Sequence, residues 1–219
     1  MNRLLFEKGG DAVYLSHLDL MRVFQRAFRR ADILIWHSQG FSPRAYVSIA
    51  LPLPVGTESR CEILDFEIED GSVEMATLPA RLNAVLPAGI RVLQAYESGR
   101  KTKLLQFLKA SVTLEYDDGV PQGAREAIAA LFSRESLPIL KRSKKGDKEI
   151  DMKPLIHSLM IRETAPGELC LEAVVCAQNP GLNPQLLVYA IETDLPEYKP
   201  DFARLAREEV FDDTFAPFR

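Results

Sequence analysis

Apolar and polar positions change period several times along the chain, and the changes outline its elements. RLLFE (3–7) is a short apolar run bounded by Gly9-Gly10, which predicts a strand and a turn. From His17 to about Ala31 the period becomes helical, with Leu20, Phe24, Ala27, Phe28 and Ala31 on one face. Arg22, Arg26 and Arg29 fall on the opposite face and Arg30 at its edge. Ser16, with Asp19 three residues later, forms an aspartate version of the capping box at the helix start. ILIWHS (33–38) reads as strand or strand-like edge, Gly40 to Pro43 as a turn, and Tyr46–Leu51 as an extended run broken by Pro52, Pro54 and Gly56. In CEILDFEIE (61–69), Ile63, Leu64, Phe66 and Ile68 alternate with Glu62, Asp65, Glu67 and Glu69, the pattern of a half-buried strand. Val73–Val85 reads as a second helix and GIRVLQAYES (89–98) as a strand. The order is strand, helix, strand, strand, helix, strand, that of a split βαβ or ferredoxin-like unit.

After a charged junction (99–103) the same order recurs in weaker form. FLKASVTLEYDD (107–118) predicts a strand, GAREAIAALFSRE (123–135) a helix, and residues 137–163 a basic hairpin and a further strand. GELCLEAVVCAQ (167–178) predicts a strand and NPQLLVYAIE (183–192) a helix. The expected fold class is therefore α+β, with two tandem ferredoxin-like (βαββαβ) halves, the second more irregular. The domains so read are 1–98 and 104–192. Residues 193–219 are left as an acidic, aromatic tail, a helix followed by a looser end.

Composition narrows the classes. The 219 residues are 47% hydrophobic and 26% charged with a net charge of −4, which suits globular domains and not a chain that binds polyanions along its whole length. There is no apolar run of membrane-spanning length, so no membrane partner is expected. The N-terminal MNRLLFEKGG lacks the apolar core of a secretory signal. Cys61, Cys170 and Cys176 make no CxxC pair, which points to reduced, buried thiols in a cytoplasmic protein with no metal site and no cofactor.

The unusual chemistry collects between residues 14 and 60. Residues 1–50 hold seven Lys and Arg against four Asp and Glu in a chain that is acidic overall. Arg22, Arg26 and Arg29, at spacings of four and three, make a stripe that can hold phosphates or simply face water. In the Gln39–Arg44 turn, Gly40 allows close backbone approach, and Phe41 beside Arg44 can stack a base and hold its phosphate. Trp36 offers a second platform; both rings can equally belong to the core. A second basic stretch, KRSKKGDK (141–148), centres on Lys144 and Lys145 at an expected hairpin tip. His17 and His37 are the candidates for acid–base catalysis, with Tyr14 and Lys8 as possible assistants; imidazole suits both roles of a metal-independent ribonuclease. Neither histidine has the spaced carboxylate or cysteine partner that a zinc site needs.

These residues also carry a resemblance. YLSHLDLMRVFQRAFRRA and HSQGFSPRAYVSIALPLPVGTESRCEILDFEI resemble the signature of the radical-SAM-linked proteins, a bacterial family of unknown function found alone or fused behind a radical-SAM domain. Tyr14, Ser16, His17, Asp19, Arg26, Arg29, Arg30, Ser38, Gly40, Phe41, Pro43, Ser48, Gly56 and Glu62 match the family pattern. Ser42 stands in place of the usual asparagine, and Arg44-Ala45-Tyr46 where a histidine-containing tripeptide is common. The likeness covers residues 3–95, with IDMKPLI (150–156) also similar. It implies association with a radical-SAM enzyme in RNA or ribosome-linked metabolism. The CxxxCxxC cluster motif of radical-SAM enzymes is absent from this sequence. The element order is also similar to that of the CRISPR repeat-processing endoribonucleases, at the level of fold alone. Three expectations follow: an RNA-binding or substrate-presenting module, a metal-independent endoribonuclease using His17 or His37, or a protein partner of the radical-SAM enzyme that binds no RNA. The first leads, with Tyr14, Arg22, Arg26, Arg29, Arg30, Trp36, Gly40, Phe41, Arg44, Lys144 and Lys145 as its binding residues.

Overall fold

A computed structural model describes residues 1–39, 41–69, 73–141 and 148–219. The chain is a mixed α/β protein with four α-helices among the described residues. It divides into two compact units, residues 1–104 with 217–219, and residues 105–216.

In the first unit the elements are β1 (Asn2–Lys8), α1 (His17–Arg30), β2 (Val47–Ile49), β3 (Thr57–Phe66), α2 (Leu78–Asn83) and β4 (Ile90–Glu97). Their antiparallel order is β4-β1-β3-β2. The apolar face of α1 (Leu20, Phe24, Ala27, Phe28) packs with Leu4 and Phe6 of β1 and Leu64 and Phe66 of β3. Phe6 meets Phe24 edge-on at 4.7 Å, and Phe28 meets Phe66 at 4.8 Å. Gly89 brings the start of β4 against the end of β1. Its φ is +84°, Gly9 N donates to its carbonyl at 2.8 Å, and a Cβ there would lie 2.3 Å from Gly9 O.

The second unit contains β5 (Phe107–Glu115), α3 (Ala124–Ser133), the hairpin strands β6 (Pro138–Lys141) and β7 (Lys148–Asp151), β8 (Ile156–Ala165), β9 (Glu168–Cys176), α4 (Gln185–Asp194) and β10 (Phe202–Phe211). Its antiparallel sheet runs β10-β5-β9-β8, with β6 and β7 paired separately. Along β5, Leu108, Ala110, Val112 and Leu114 are buried while Lys109, Ser111, Thr113 and Glu115 are partly exposed. The polar face is closed by ion pairs: Lys109 with Glu172 at 3.0 Å, Arg162 with Glu172, and Arg204 with Glu115 and Glu168.

Four segments differ from the sequence reading. β3 is not half-buried: residues 61–66 are all buried, acids included. Asp65 accepts from Arg3 Nε at 2.6 Å, and the Phe218 ring covers the Arg3 guanidinium at 5.1 Å, so the second face of the strand is closed as well. Residues 33–38 form no strand but two isolated bridges, Ile35 with Ile68 and His37 with Ala45. The helix expected over 73–85 is a 3-10 turn (75–77) followed by the six residues of α2, with Pro79 in its first turn. Residues 193–219, read as a tail, contain β10, which pairs along its length with β5 and is the last strand of the second sheet.

Candidate functional site

Ser16 fixes where α1 begins. Its Oγ accepts from Asp19 N at 3.2 Å and donates to Asp19 Oδ2 at 2.6 Å. Asp19 also accepts from Arg22 at 3.0 Å. The Ser16 hydrogen bond, then Arg22, holds the Asp19 carboxyl below the usual carboxylate range. At the other end Asp32 takes φ +54°, and Ile33 N reaches back to Phe28 O at 2.9 Å, a Schellman closure. Arg81 donates to the carbonyls of Ala31 and Asp32 at 2.8 and 3.0 Å, placing a cation on the helix C-terminus.

The chain leaving α1 then runs back along it. Trp36 N donates to Glu67 O and Glu69 N to Leu34 O, which seats residues 34–36 on the strand line beyond β3. Tyr46 N donates to Trp36 O and Ser38 N to Arg44 O, pairing 36–38 with 44–46. The Ser38 hydroxyl accepts from Arg44 N at 3.1 Å. Gln25, on α1, donates to Ala45 O at 2.8 Å and ties the helix to this ladder.

Between α1 and the ladder lies an open groove of about 460 Å³. Arg22, Arg26, Arg29, His37 and Arg44 line it, and Asp32 is its one acidic lining residue among the described residues. Arg22 is neutralised by Asp19. The guanidinium groups of Arg26, Arg29 and Arg44 have no carboxylate partner among the described residues and are exposed. A second hollow of about 460 Å³ shares Arg22, Gln25, Arg44 and Ala45 with the first, and adds Leu18, Met21 and Tyr46. Guanidinium forks without partners, beside apolar surface, can hold an oxyanion together with the flat group attached to it.

The remaining expected residues fall around or outside this groove. Trp36 is 37% exposed and meets Tyr46, a lining residue of the adjoining hollow, edge-on at 5.9 Å, but lines neither hollow itself. Phe41 is wholly exposed. Tyr14 and Arg30 are exposed but line neither hollow. His17 is half-buried in the first turn of α1, its Nδ1 without a hydrogen-bond partner among the described residues, and it does not share the groove with His37. Lys8 is buried and donates to Leu15 O at 3.3 Å, which withdraws it from solvent. Gly40, Lys144 and Lys145 lie outside the described residues. Gln25, Asp32 and Arg81 went unnoticed in the sequence. Only an alanine followed by a single polar residue hinted at the helix stop, and nothing local marked the contacts of Gln25 or Arg81. Among the described residues no three His, Cys, Asp or Glu side chains gather in a geometry that could hold a metal ion. No helix among them is long and apolar enough to cross a membrane.

A family model described as "Uncharacterized protein conserved in bacteria (DUF2344)" matches residues 2–184. No curated protein matches the sequence. Similar solved structures include a Cbf5-Nop10-Gar1 complex, 10% identical, covering 95% of this chain and 48% of that chain with a TM-score of 0.50. An H/ACA RNP bound to a substrate RNA containing 2'-deoxyuridine is 10% identical over 94% of this chain and 46% of that one, at 0.49. An archaeal box H/ACA sRNP Nop10-Cbf5 complex is 11% identical, with coverage of 94% and 46%, at 0.47. The chain thus spans about half the length of the solved chains it matches. At such identities the likeness is one of fold.

Proposed function

For a chain that belongs to this family of uncharacterized bacterial proteins, we propose an RNA-binding role, with the groove beside α1 as the site that takes the phosphodiester backbone. The observation that carries the reading is the set of guanidinium groups on Arg26, Arg29 and Arg44, gathered in one groove of an acidic protein without carboxylate partners among the described residues. Arginine unpaired within its own protein is available to phosphate, and the energy of such contacts is mostly electrostatic. Phe41, fully exposed and two residues before the groove-lining Pro43, offers a face on which an unpaired base can stack. The ligand is therefore a single-stranded segment.

Each unit is read as ferredoxin-like: β-α-β-β-α-β in order, the first strand flanked by the third and the last. From the resemblance of residues 3–95 to the radical-SAM-linked proteins, the protein presents its RNA to a radical-SAM enzyme in the cytoplasm. Among the described residues the groove's lining holds one histidine, His37, and one carboxylate, Asp32, against the guanidiniums of Arg26, Arg29 and Arg44, a set that favours binding and presentation over cleavage.

The test is the double variant Arg26→Glu/Arg29→Glu, assayed by fluorescence anisotropy with a labelled single-stranded RNA at low salt. Both side chains are exposed, so circular dichroism and the thermal midpoint should stay near wild type. Affinity should fall roughly 100-fold, about tenfold for each reversed arginine. Unchanged affinity would reduce the stripe to solvated surface. Capture of a radical-SAM enzyme by the tagged protein tests the partner separately.

A further inference from the structure

We propose that the second unit carries a phosphodiester-binding site of its own, in the hollow between α3 and β8. The inference rests on the RNA-binding reading for its ligand and on separate residues for its place. The hollow measures about 360 Å³ and is lined by Arg125, Lys153 and His157, by the hydroxyl-bearing Ser133 and Ser158, and by no carboxylate among the described residues. Its basic character is not simply that of the unit around it. On the polar sheet face, Lys109, Arg162 and Arg204 are consumed by Glu172, Glu115 and Glu168, and at the end of α3 Arg134 is paired with Asp194. Arg125, in contrast, has no partner for its guanidinium among the described residues and is exposed.

The neighbouring groups are held in place. Lys153 N donates to Asp151 Oδ1 at 2.9 Å, and its ammonium donates to Phe132 O at 2.5 Å. An ammonium has three donors, so two remain for a ligand. The His157 ring lies 4.4 Å from Phe215, which stacks on Phe107 at 4.4 Å, and the turn carrying Phe215 is closed by Asp212 Oδ1 accepting from Thr214 and Ala216. The imidazole, part of the hollow's lining, is thereby held in place before any ligand arrives. A preset ring, a tethered ammonium and an unpaired guanidinium suit a phosphodiester, which needs donors on its two free oxygens.

Topology supports the assignment independently. In the order β-α-β-β-α-β, the groove of the first unit lies between the first helix and the segment entering the second strand. The hollow of the second unit lies between the first helix, α3, and the second strand of its sheet, β8. The two units share no repeat that is visible residue by residue, yet each has an arginine-bearing hollow against its first helix.

The test is amide chemical-shift mapping of the full chain with a uridine decamer, paired with anisotropy on Arg125→Glu. Glutamate in the first turn of α3 (Ala124–Ser133) suits the helix N-terminus, so this variant retains its fold. Shifts at Arg125 and along 156–161 are expected. So is a roughly tenfold loss of affinity in Arg125→Glu, with a salt-dependence slope shallower by about 0.7. Shifts confined to α1 and residues 33–45, with Arg125→Glu binding as wild type, would overturn the second site and leave the first groove standing. Absence of shifts anywhere in the chain would overturn both.

Discussion

The most exacting prediction concerns Arg3 and Asp65, which pair between neighbouring strands of the first unit. Arg3 is fully buried and Asp65 3% exposed. Two hydrogen bonds join them, Nε to Oδ1 at 2.6 Å and Nη2 to Oδ2 at 3.2 Å, and Arg3 also donates to Ser98 Oγ at 3.1 Å and Arg100 O at 2.8 Å. Phe218 lies against both guanidiniums, 5.1 Å from that of Arg3 and 4.7 Å from that of Arg100. In Asp65→Ala, Arg3 keeps its two neutral acceptors but loses its only carboxylate partner among the described residues, at a buried position. Breaking a buried pair in this way costs about 3–5 kcal/mol, a large share of the ~5–15 kcal/mol that holds an ordinary domain together. Replacing both partners, as in Arg3→Met/Asp65→Leu, removes the stranded charge and should recover most of the loss. The assay is urea unfolding followed by emission of Trp36, the single tryptophan, which lies in the same unit. At a slope of ~1.5 kcal/mol per molar urea, the midpoint of Asp65→Ala should fall by roughly 2–3 M. The double variant should return to within about 1 M of wild type. A single variant within about 0.5 M of wild type, or a double variant as unstable as the single one, would refute the argument. RNA affinity should weaken with the single variant, since β3 continues into residues 67–69, which seat the groove wall at residues 34–36.

Two further outcomes test other parts of the fold. Gly89→Ala should lower the thermal midpoint of the first unit by more than the few degrees typical of a surface change: its φ of +84° disfavours alanine, and the new Cβ would meet the Gly9 carbonyl. In the second unit, burial and then the nearby Asp201 carboxylate push the Tyr116 hydroxyl up to about 12, while it donates to Tyr198 O. The unfolded phenol ionises near pH 10, so the folded state holds the proton more tightly. The stabilisation is complete below pH 10 and is lost as pH rises toward 12. Thermal melts of the second unit across that window should fall, and Tyr116→Phe should flatten the fall; an equally steep fall in Tyr116→Phe would show that another group is responsible.

Local pattern was enough for α1 and for most strands. The spacing of Leu20, Phe24, Ala27 and Phe28 placed the helix, Ser16 placed its start, and the same arithmetic put Arg22, Arg26 and Arg29 on the far side. These features depend on neighbours within one or two turns, which a linear reading sees. β10 escaped because Arg204, Arg207, Glu208 and Glu209 mask its alternation, and its partner β5 lies about a hundred residues earlier. The second buried face of β3 escaped for a similar reason. Asp65 looks like a solvent-facing acid until Arg3, sixty-two residues away, and Phe218 at the end of the chain are brought to it. The groove shows the division most clearly. The arginines were legible as a stripe, but a stripe is only a direction on a helix. Whether it faces water or a ligand depends on which charges lie opposite. Asp19 removes Arg22 through a local contact, and Gln25 with the bridge between His37 and Ala45 draws Arg44 toward Arg26 and Arg29 through contacts across twenty residues. Sequence by itself determined the periods, the caps and the charges; the tertiary structure decided which charges stay unpaired, because pairing is a matter of distance in space.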